Sequence, residues 1–390
     1  MSTTMDKEAP ADNAPADNAT TDNATTSLYH NKTAQWLLYL AVFALLAFMP
    51  LLVENAFTLN QLARYTCFAI LAMSVSLVWG YGGILSLGQG IAFGLAAYGM
   101  AMTMQMQYQH PEYDPIPSFM LTNELEALPL MWEPFWSTTA GLILTLSVPT
   151  VFFAVFGAMM FQARVAGVFV AIMTLAMLAA WYSMAYDMQP FTAGFNGISP
   201  PLPFSIGGFS FDPYSAPAYL ICVGFLAALT CMAKLLMQSR FGVIVQAIRD
   251  DSERARFLGY NVATYQITLF TISGFIASCA GLCWVMIVQY VSPTSLELTL
   301  SIGMVIWAAV GGRLSLLGAI MGAFLVNGMQ SYLGDELQQL WMLFLGAIFI
   351  GIVLLLPRGL AGLAELILGR FPIRRKASLK RSTAGEEAAE

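Results

Sequence analysis

The sequence predicts an all-α, polytopic transmembrane helical bundle of eight to ten spans, with broken or re-entrant helices among them. Three observations lead there. Hydrophobic residues fill 58% of the 390 positions and charged residues only 10%, where soluble domains carry roughly 25% charge. Apolar runs of about 20 residues, enough to cross a bilayer, recur along most of the chain. The eighth of these runs is too short for a plain crossing, and seven of the 32 glycines are packed into one stretch near residue 90, both signs of interrupted helices.

The elements follow in order. Residues 1–33 are rich in Ala, Asp, Asn and Thr, with the near-repeat ADNAPADNATTDNATT. Such a segment has little apolar surface to bury and reads as a disordered cytoplasmic tail. It lacks the order of a signal peptide. The membrane-spanning body is expected over 34–358, with spans at 35–53, 57–79, 83–107, 138–161, 165–186, 216–238, 264–289, 298–312, 315–333 and 338–356. Residues 359–390 form a basic cytoplasmic tail whose Arg370, Arg374, Arg375, Lys376, Lys380 and Arg381 suit lipid headgroups. With both termini inside, sixteen of the seventeen Lys and Arg lie on the cytoplasmic side, Arg64 being the exception; this satisfies the positive-inside rule. Two long segments, 108–137 and 187–215, then lie outside. The first carries five acids and a set of aromatics, the second Gly194, Gly197, Gly207 and Gly208.

Composition also excludes chemistry. The five cysteines sit in apolar runs without metal-ligand spacing, and two histidines cannot build a His-based centre or triad. No Gly-Lys-Ser/Thr exists, so the chain has no phosphate loop of its own. No Asp, Glu, Lys or Arg falls in the middle of a span. Proton- and sodium-driven carriers usually keep such a group. Any energy for uphill transport must arrive from another subunit. The expected partners are protein and membrane lipid, with no nucleic acid.

Two stretches carry the functional reading. Residues 239–261, SRFGVIVQAIRDDSERARFLGYN, interrupt two long apolar runs. Phe241, Ile244, Val245 and Ile248 recur with helical spacing and form one apolar stripe. Asp250 with Glu253 three residues on reads as a helix start, and Gly259 as a helix stop. Four arginines place this segment inside. Two uses are open: a handle for a soluble partner, or an amphipathic helix lying in the headgroups.

The second stretch is GYGGILSLGQGIAFGLAAYG at 80–99, with seven glycines. Inside a bundle, glycines let helices pack closely or break around a cavity. Gly90 and Gly94 form a GxxxG pair, and Ser86 and Gln89 stand ready to bond a passing neutral solute or, equally, a neighbouring helix. A weak echo links 82–100 to 311–329, identical at eight of nineteen positions. Transporters are often built from such repeats.

At these residues the chain resembles a known family. RFGVIVQAIRDDSERARFLGYNVATYQITLFTISGFIASCAG is similar to the cytoplasmic coupling segment of the branched-chain amino acid ABC permeases, in their M-type subunit. GYGGILSLGQGIAFGLAAYGMAM resembles their glycine-rich third span, with Gln89 where many members have His. IWAAVGGRLSLLGAIMGAFL and LLLPRGLAG resemble the last blocks. The outer insertion IPSFMLTNELEALPLMWEPFW, and FTAGFNGI with Asn196 and Gly197, resemble the urea-transporting branch.

The resemblance implies a heteromeric importer of the bacterial inner membrane. Its parts are this chain, a second, H-type permease, two ABC ATPase subunits and a periplasmic solute-binding protein. No cofactor is expected on this chain, which is not expected to be an enzyme; ATP and Mg²⁺ belong to the ATPases. Phe241, Ile244, Arg249, Asp250, Glu253 and Gly259 are the expected ATPase-coupling residues. Ser86, Gln89, Gly90, Gly94, Asn196 and Gly197 are the expected pathway residues. Urea or a short amide is the expected solute. The alternatives are branched-chain amino acids on the same importer, or a passive channel for small neutral solutes, which would leave 239–261 without a task.

Overall fold

The computed structural model describes residues 32–110, 113, 115–123, 125–337, 343–344, 346–347, 350–351 and 359–360. The contacts discussed below lie within the unit Tyr39–Leu363. All but residues 32–33 and 359–360 of the expected tails 1–33 and 359–390, and most of the expected tenth span, 338–356, fall outside the described residues.

Thirteen α-helices are present among them. The first three are α1 (Lys32–Leu52), α2 (Ala56–Ser76) and α3 (Gln89–Met106). Next come the short α4 (Ser118–Thr122), then α5 (Thr138–Gln162), α6 (Val168–Asp187) and the short α7 (Gln189–Thr192). The second half holds α8 (Ala216–Gln238), α9 (Arg240–Asp250), α10 (Ser252–Phe257), α11 (Val262–Val288), α12 (Leu298–Gly311) and α13 (Leu316–Leu337). A two-residue ribbon pairs Ser205–Ile206 with Phe209–Ser210. Seven helices are long and apolar enough to cross a membrane, and α12 is a shorter apolar helix. With α3, whose glycines and glutamines lower its hydropathy, nine described helices fall within the expected range of eight to ten spans.

Helix boundaries follow local chemistry. Asn55 accepts from the Phe57 amide at 2.9 Å, and Asn261 from the Thr264 amide at 3.4 Å, each taking a donor that a helix start leaves free. The third span is the main departure from the sequence reading. Its helix starts at Gln89, not Gly83. Residues 82–88 are non-helical, because Gly83 (φ +69°) turns the chain and Ser86 takes the Gly88 amide at 3.2 Å. From Gln89 onward every residue of α3 but Leu95 is buried. A helix apolar on all faces belongs at the centre of a bundle. It packs chiefly on α5 and α11.

Proline chemistry explains one long-range bond. Pro50 has no amide proton, so the Leu46 carbonyl one turn earlier loses its helical donor. The Tyr219 hydroxyl of α8 donates to that carbonyl at 2.9 Å. In lipid no water would replace it. Tyr219→Phe is expected to cost about 1–3 kcal/mol, the penalty of one orphaned buried acceptor, read as a lowered melting temperature of the detergent-solubilised protein; an unchanged melting temperature would refute the account.

Arg64, the exception to the charge pattern, is also accounted for. Its Nε donates to Asn60 Oδ1 at 3.0 Å. The Asn60 amide in turn donates to the Pro213 and Ile287 carbonyls at 2.9 and 3.2 Å. The cation orients a buried amide that ties α2 to the start of α8 and the C-terminal end of α11.

The two long segments expected outside, 108–137 and 187–215, fasten to the end of α3. Gln107 donates to Thr138 Oγ1 and the Ser205 carbonyl, and Tyr108 to the Pro203 carbonyl at 2.7 Å. Met102, Met106, Ile116, Met120, Trp132 and Phe135 form a small apolar core above it.

Candidate functional site: an elbow on a broken span

The 239–261 segment folds as two short helices, α9 and α10, as its pattern predicts. The apolar stripe turns inward. Val245 and Ile248 are buried, and Ile248 packs with Ala255, Val262, Ile244 and Tyr265. The Phe241 ring lies 5.6 Å from that of Tyr265. Gly242 allows the tight elbow with α8: a methyl there would stand 2.2 Å from the Met237 carbonyl oxygen. The helix start is at Asp251, not Asp250. Asp251 has extended backbone and accepts from the Arg254 amide at 2.9 Å, while Asp250 is the last residue of α9. Two aspartates in a row gave the pattern two possible registers. Gly259 (φ +89°) ends the elbow, its amide bonding the Arg256 carbonyl at 2.9 Å.

Phe241 and Ile244 therefore serve the shape of the elbow, and different side chains face outward. Val243, Phe257 and Leu258 are 63%, 89% and 73% exposed. Around them Glu253 pairs with Arg256 at 2.7 Å and Asp251 with Arg254 at 3.3 Å. An exposed Phe-Leu pair rimmed by charge is the composition of a contact patch. The signal was present in the sequence: ARFLGY sets two bulky apolar residues beside a helix-stopping glycine, off the stripe.

Arg249 points the other way. Its Nε and Nη2 both bond Asp250 Oδ1, at 3.0 and 2.9 Å, and its Nη1 donates to the Gly80 carbonyl at 2.9 Å. Gly80 lies in the single π-turn, Leu77–Tyr81, that extends α2. There the backbone ladder ends. The Val78 and Trp79 carbonyls are taken by the Ile84 and Gly83 amides, and Gly80 is met by the arginine. The second repeat joins at the same place. Ser76 Oγ donates to the Arg313 carbonyl at 2.9 Å, and the Arg313 guanidinium lies 5.4 Å from the Trp79 ring centre.

The sequence echo is reproduced in the backbone. Gly312 (φ +110°) matches Gly83 (φ +69°). Ser315 accepts from the Gly318 amide at 3.1 Å, as Ser86 does from Gly88. Each repeat is thus a helix, a glycine turn, a serine cap and a second helix.

Above this joint lies the polar neighbourhood of Ser86 and Gln89, both buried. Gln89 Nε2 reaches Ser273 Oγ at 3.5 Å. Ser273 lies eleven residues into α11, about 16 Å along its axis. Thr174 of α6 accepts from the Leu87 amide at 3.1 Å. A methyl on Gly90 would fall 2.8 Å from Ser301 Oγ, and one on Gly94 2.4 Å from Leu296 Cδ2. The GxxxG pair therefore receives α12 and the turn before it. Gln89 Oε1 and Ser301 Oγ are buried without a hydrogen-bond partner among the described residues. Ser273, Thr174 and Ser301 were not singled out in the sequence, since hydroxyl residues are common in spans and only the fold brings them to Gln89.

Asn196 and Gly197 lie elsewhere, in the segment between α6 and α8. The Asn196 carbonyl accepts from Tyr290 at 3.1 Å, and Ile198 bridges to Val291. Gly197 (φ +70°) leaves no room for a side chain, the Val291 carbonyl oxygen being 2.2 Å from where a Cβ would stand. This turn holds the 187–215 segment against the linker between α11 and α12. The structure does not bring it together with Gln89.

Residues 57–353 match the family described as branched-chain amino acid transport system / permease component. The chain is 24% identical over 350 residues to the high-affinity branched-chain amino acid transport system permease protein LivM of Escherichia coli (strain K12), covering 84% of this chain and 75% of that one. It is 25% identical over 317 residues to LivM of Salmonella typhimurium, covering 75% and 67%. A 100-residue stretch is 35% identical to the fructose import permease protein FrcC of Rhizobium meliloti, covering 24% and 27%. No solved structure matches. With the family match spanning the bundle from α2 past α13, this chain belongs to the permease component family of the branched-chain amino acid transport systems.

Proposed function

We propose that this chain is a membrane-spanning subunit of an ATP-driven importer in the bacterial inner membrane, and that it carries branched-chain amino acids. The carrying observation is the α9–α10 elbow: a folded inner segment with an outward Val243, Phe257 and Leu258 patch, bonded through Arg249 to the end of a broken span. A lipid-lying helix would turn its apolar stripe to the membrane and need no such patch. The partners are a second, H-type permease, two ATPases that hold ATP and Mg²⁺, and a solute-binding protein docking on the outer segments. Asn196 and Gly197 act there, and Ser86, Gln89, Gly90 and Gly94 act along the solute route.

Both relatives matched over most of their length carry branched-chain amino acids by name, which favours that solute over the urea suggested by the outer insertion. Urea stays as the second reading on that insertion alone. Reconstitution with both ATPases, the second permease and the binding protein separates them. Labelled leucine is expected to accumulate only with ATP and to be competed by isoleucine; accumulation competed by urea and acetamide instead would reverse the choice, and uptake by this chain alone would end the importer reading.

Gln89→Leu is expected to lower uptake about five- to tenfold with little effect on assembly, the loss of about one hydrogen bond to a passing solute. Uptake equal to wild type would remove Gln89 from the route and leave it a packing residue.

A further inference from the structure

We infer that Arg249 is a positioning residue that transmits movement of the α9–α10 elbow to the break in the second span. The inference rests on the proposed ATPase docking and names how force would leave the docked elbow. Three features carry it. First, the guanidinium is aimed. Asp250 holds it through Nε and Nη2, which leaves Nη1 directed at Gly80. Second, the target is a weak point. The Gly80 carbonyl lies in the π-turn where the α2 ladder runs out, and single π-turns within helices often mark functional sites. Third, the contact is tight and branched. A methyl on Gly83 would fall 2.6 Å from Arg249 Cγ, and one on Gly80 would fall 1.8 Å from the Arg313 carbonyl oxygen. A shift of α9 therefore presses on both glycine turns at once, and the chain from Gly83 to Gln89 leads directly to the start of α3.

A planar fork with one fixed side and one reaching donor suits this task better than a lysine would. Asp250 is exposed, so its part is to orient the guanidinium; its charge is screened by solvent.

The test uses the complete importer in proteoliposomes and reads three quantities: ATPase retained through purification, ATP hydrolysed, and solute accumulated per ATP. In Arg249→Gln, ATPase retention and hydrolysis are expected to stay near wild type, while solute per ATP falls about tenfold, as for loss of a charge-assisted hydrogen bond. Arg249→Lys, which keeps the charge and one donor, and Asp250→Asn, which keeps the arginine but frees its fork, are expected to fall about threefold. Unchanged solute per ATP in Arg249→Gln overturns the inference. So does loss of the ATPase from that variant, since Arg249 would then be an assembly residue. If Arg249→Gln does not fold, full coupling in both Arg249→Lys and Asp250→Asn overturns it. A wild-type chain that retains no ATPase overturns the docking reading, and this inference with it.

Discussion

Replacing Phe257 and Leu258 together by aspartate is expected to release the ATPases from the purified complex while leaving membrane insertion intact. Both side chains are among the most exposed apolar residues of the protein, at 89% and 73%. Neither is used by the elbow's own core, which is built from Ile248, Ala255 and Val262. Two bulky apolar anchors at the centre of an interface typically contribute about 2 kcal/mol or more each on truncation. Placing carboxylates there adds the cost of burying unpaired charge. A weakening of a hundredfold or more is therefore expected, since each 1.4 kcal/mol is about tenfold. Pull-down of the ATPases on the tagged chain measures it. Undiminished capture by the double variant would show that the patch is not the docking surface. Glu253→Lys alone is a useful comparison, because its exposed pair with Arg256 contributes little to stability.

Gly281→Val is expected to destabilise the bundle more than any surface change. Gly281 sits where α11 crosses α3, and even a methyl would stand 2.1 Å from the Phe93 carbonyl oxygen and 2.9 Å from its carbon. Backbone cannot rotate aside as a side-chain end can. Either the two helices separate, or the variant does not fold. Overpacking of a well-filled core costs about 1–3 kcal/mol, and more where backbone must move. The α3–α11 contact also carries Gln89 and Ser273, so activity should fall with stability. The control is Gly224→Val on α8, where a methyl meets nothing within 4 Å. Thermal denaturation of the two variants in detergent checks the pair: equal melting temperatures would refute the crossing as a tight contact.

These residues also mark what could be read from the chain alone. Spans, their ends and the two-helix elbow were legible because apolar period and capping are local. The start of α3 was not: the stretch 83–88 is as apolar as a helix, and only the turn at Gly83 with the Ser86 cap reveals that it is non-helical. Asp250 and Asp251 are equivalent in a capping pattern, and the backbone chose the second. The inward stripe was correctly identified as an apolar face, but which face a partner sees depends on what lies underneath, and that required the packing of α9 on α11. The Gln89 neighbourhood was half legible. Its own element announced itself by glycines, while Ser273, Thr174 and Ser301 come from three other helices and share no spacing with it. Arg249 was singled out for its charge, and its bond to Gly80 spans 169 residues, beyond the reach of any local pattern.

The proline-freed carbonyl in α1 bears on how the protein is made. Residue 46 leaves the ribosome 173 residues ahead of its hydroxyl donor, a delay of roughly 10–35 s at ordinary rates of synthesis. Throughout that interval α1 holds a carbonyl oxygen without the donor that the folded chain gives it.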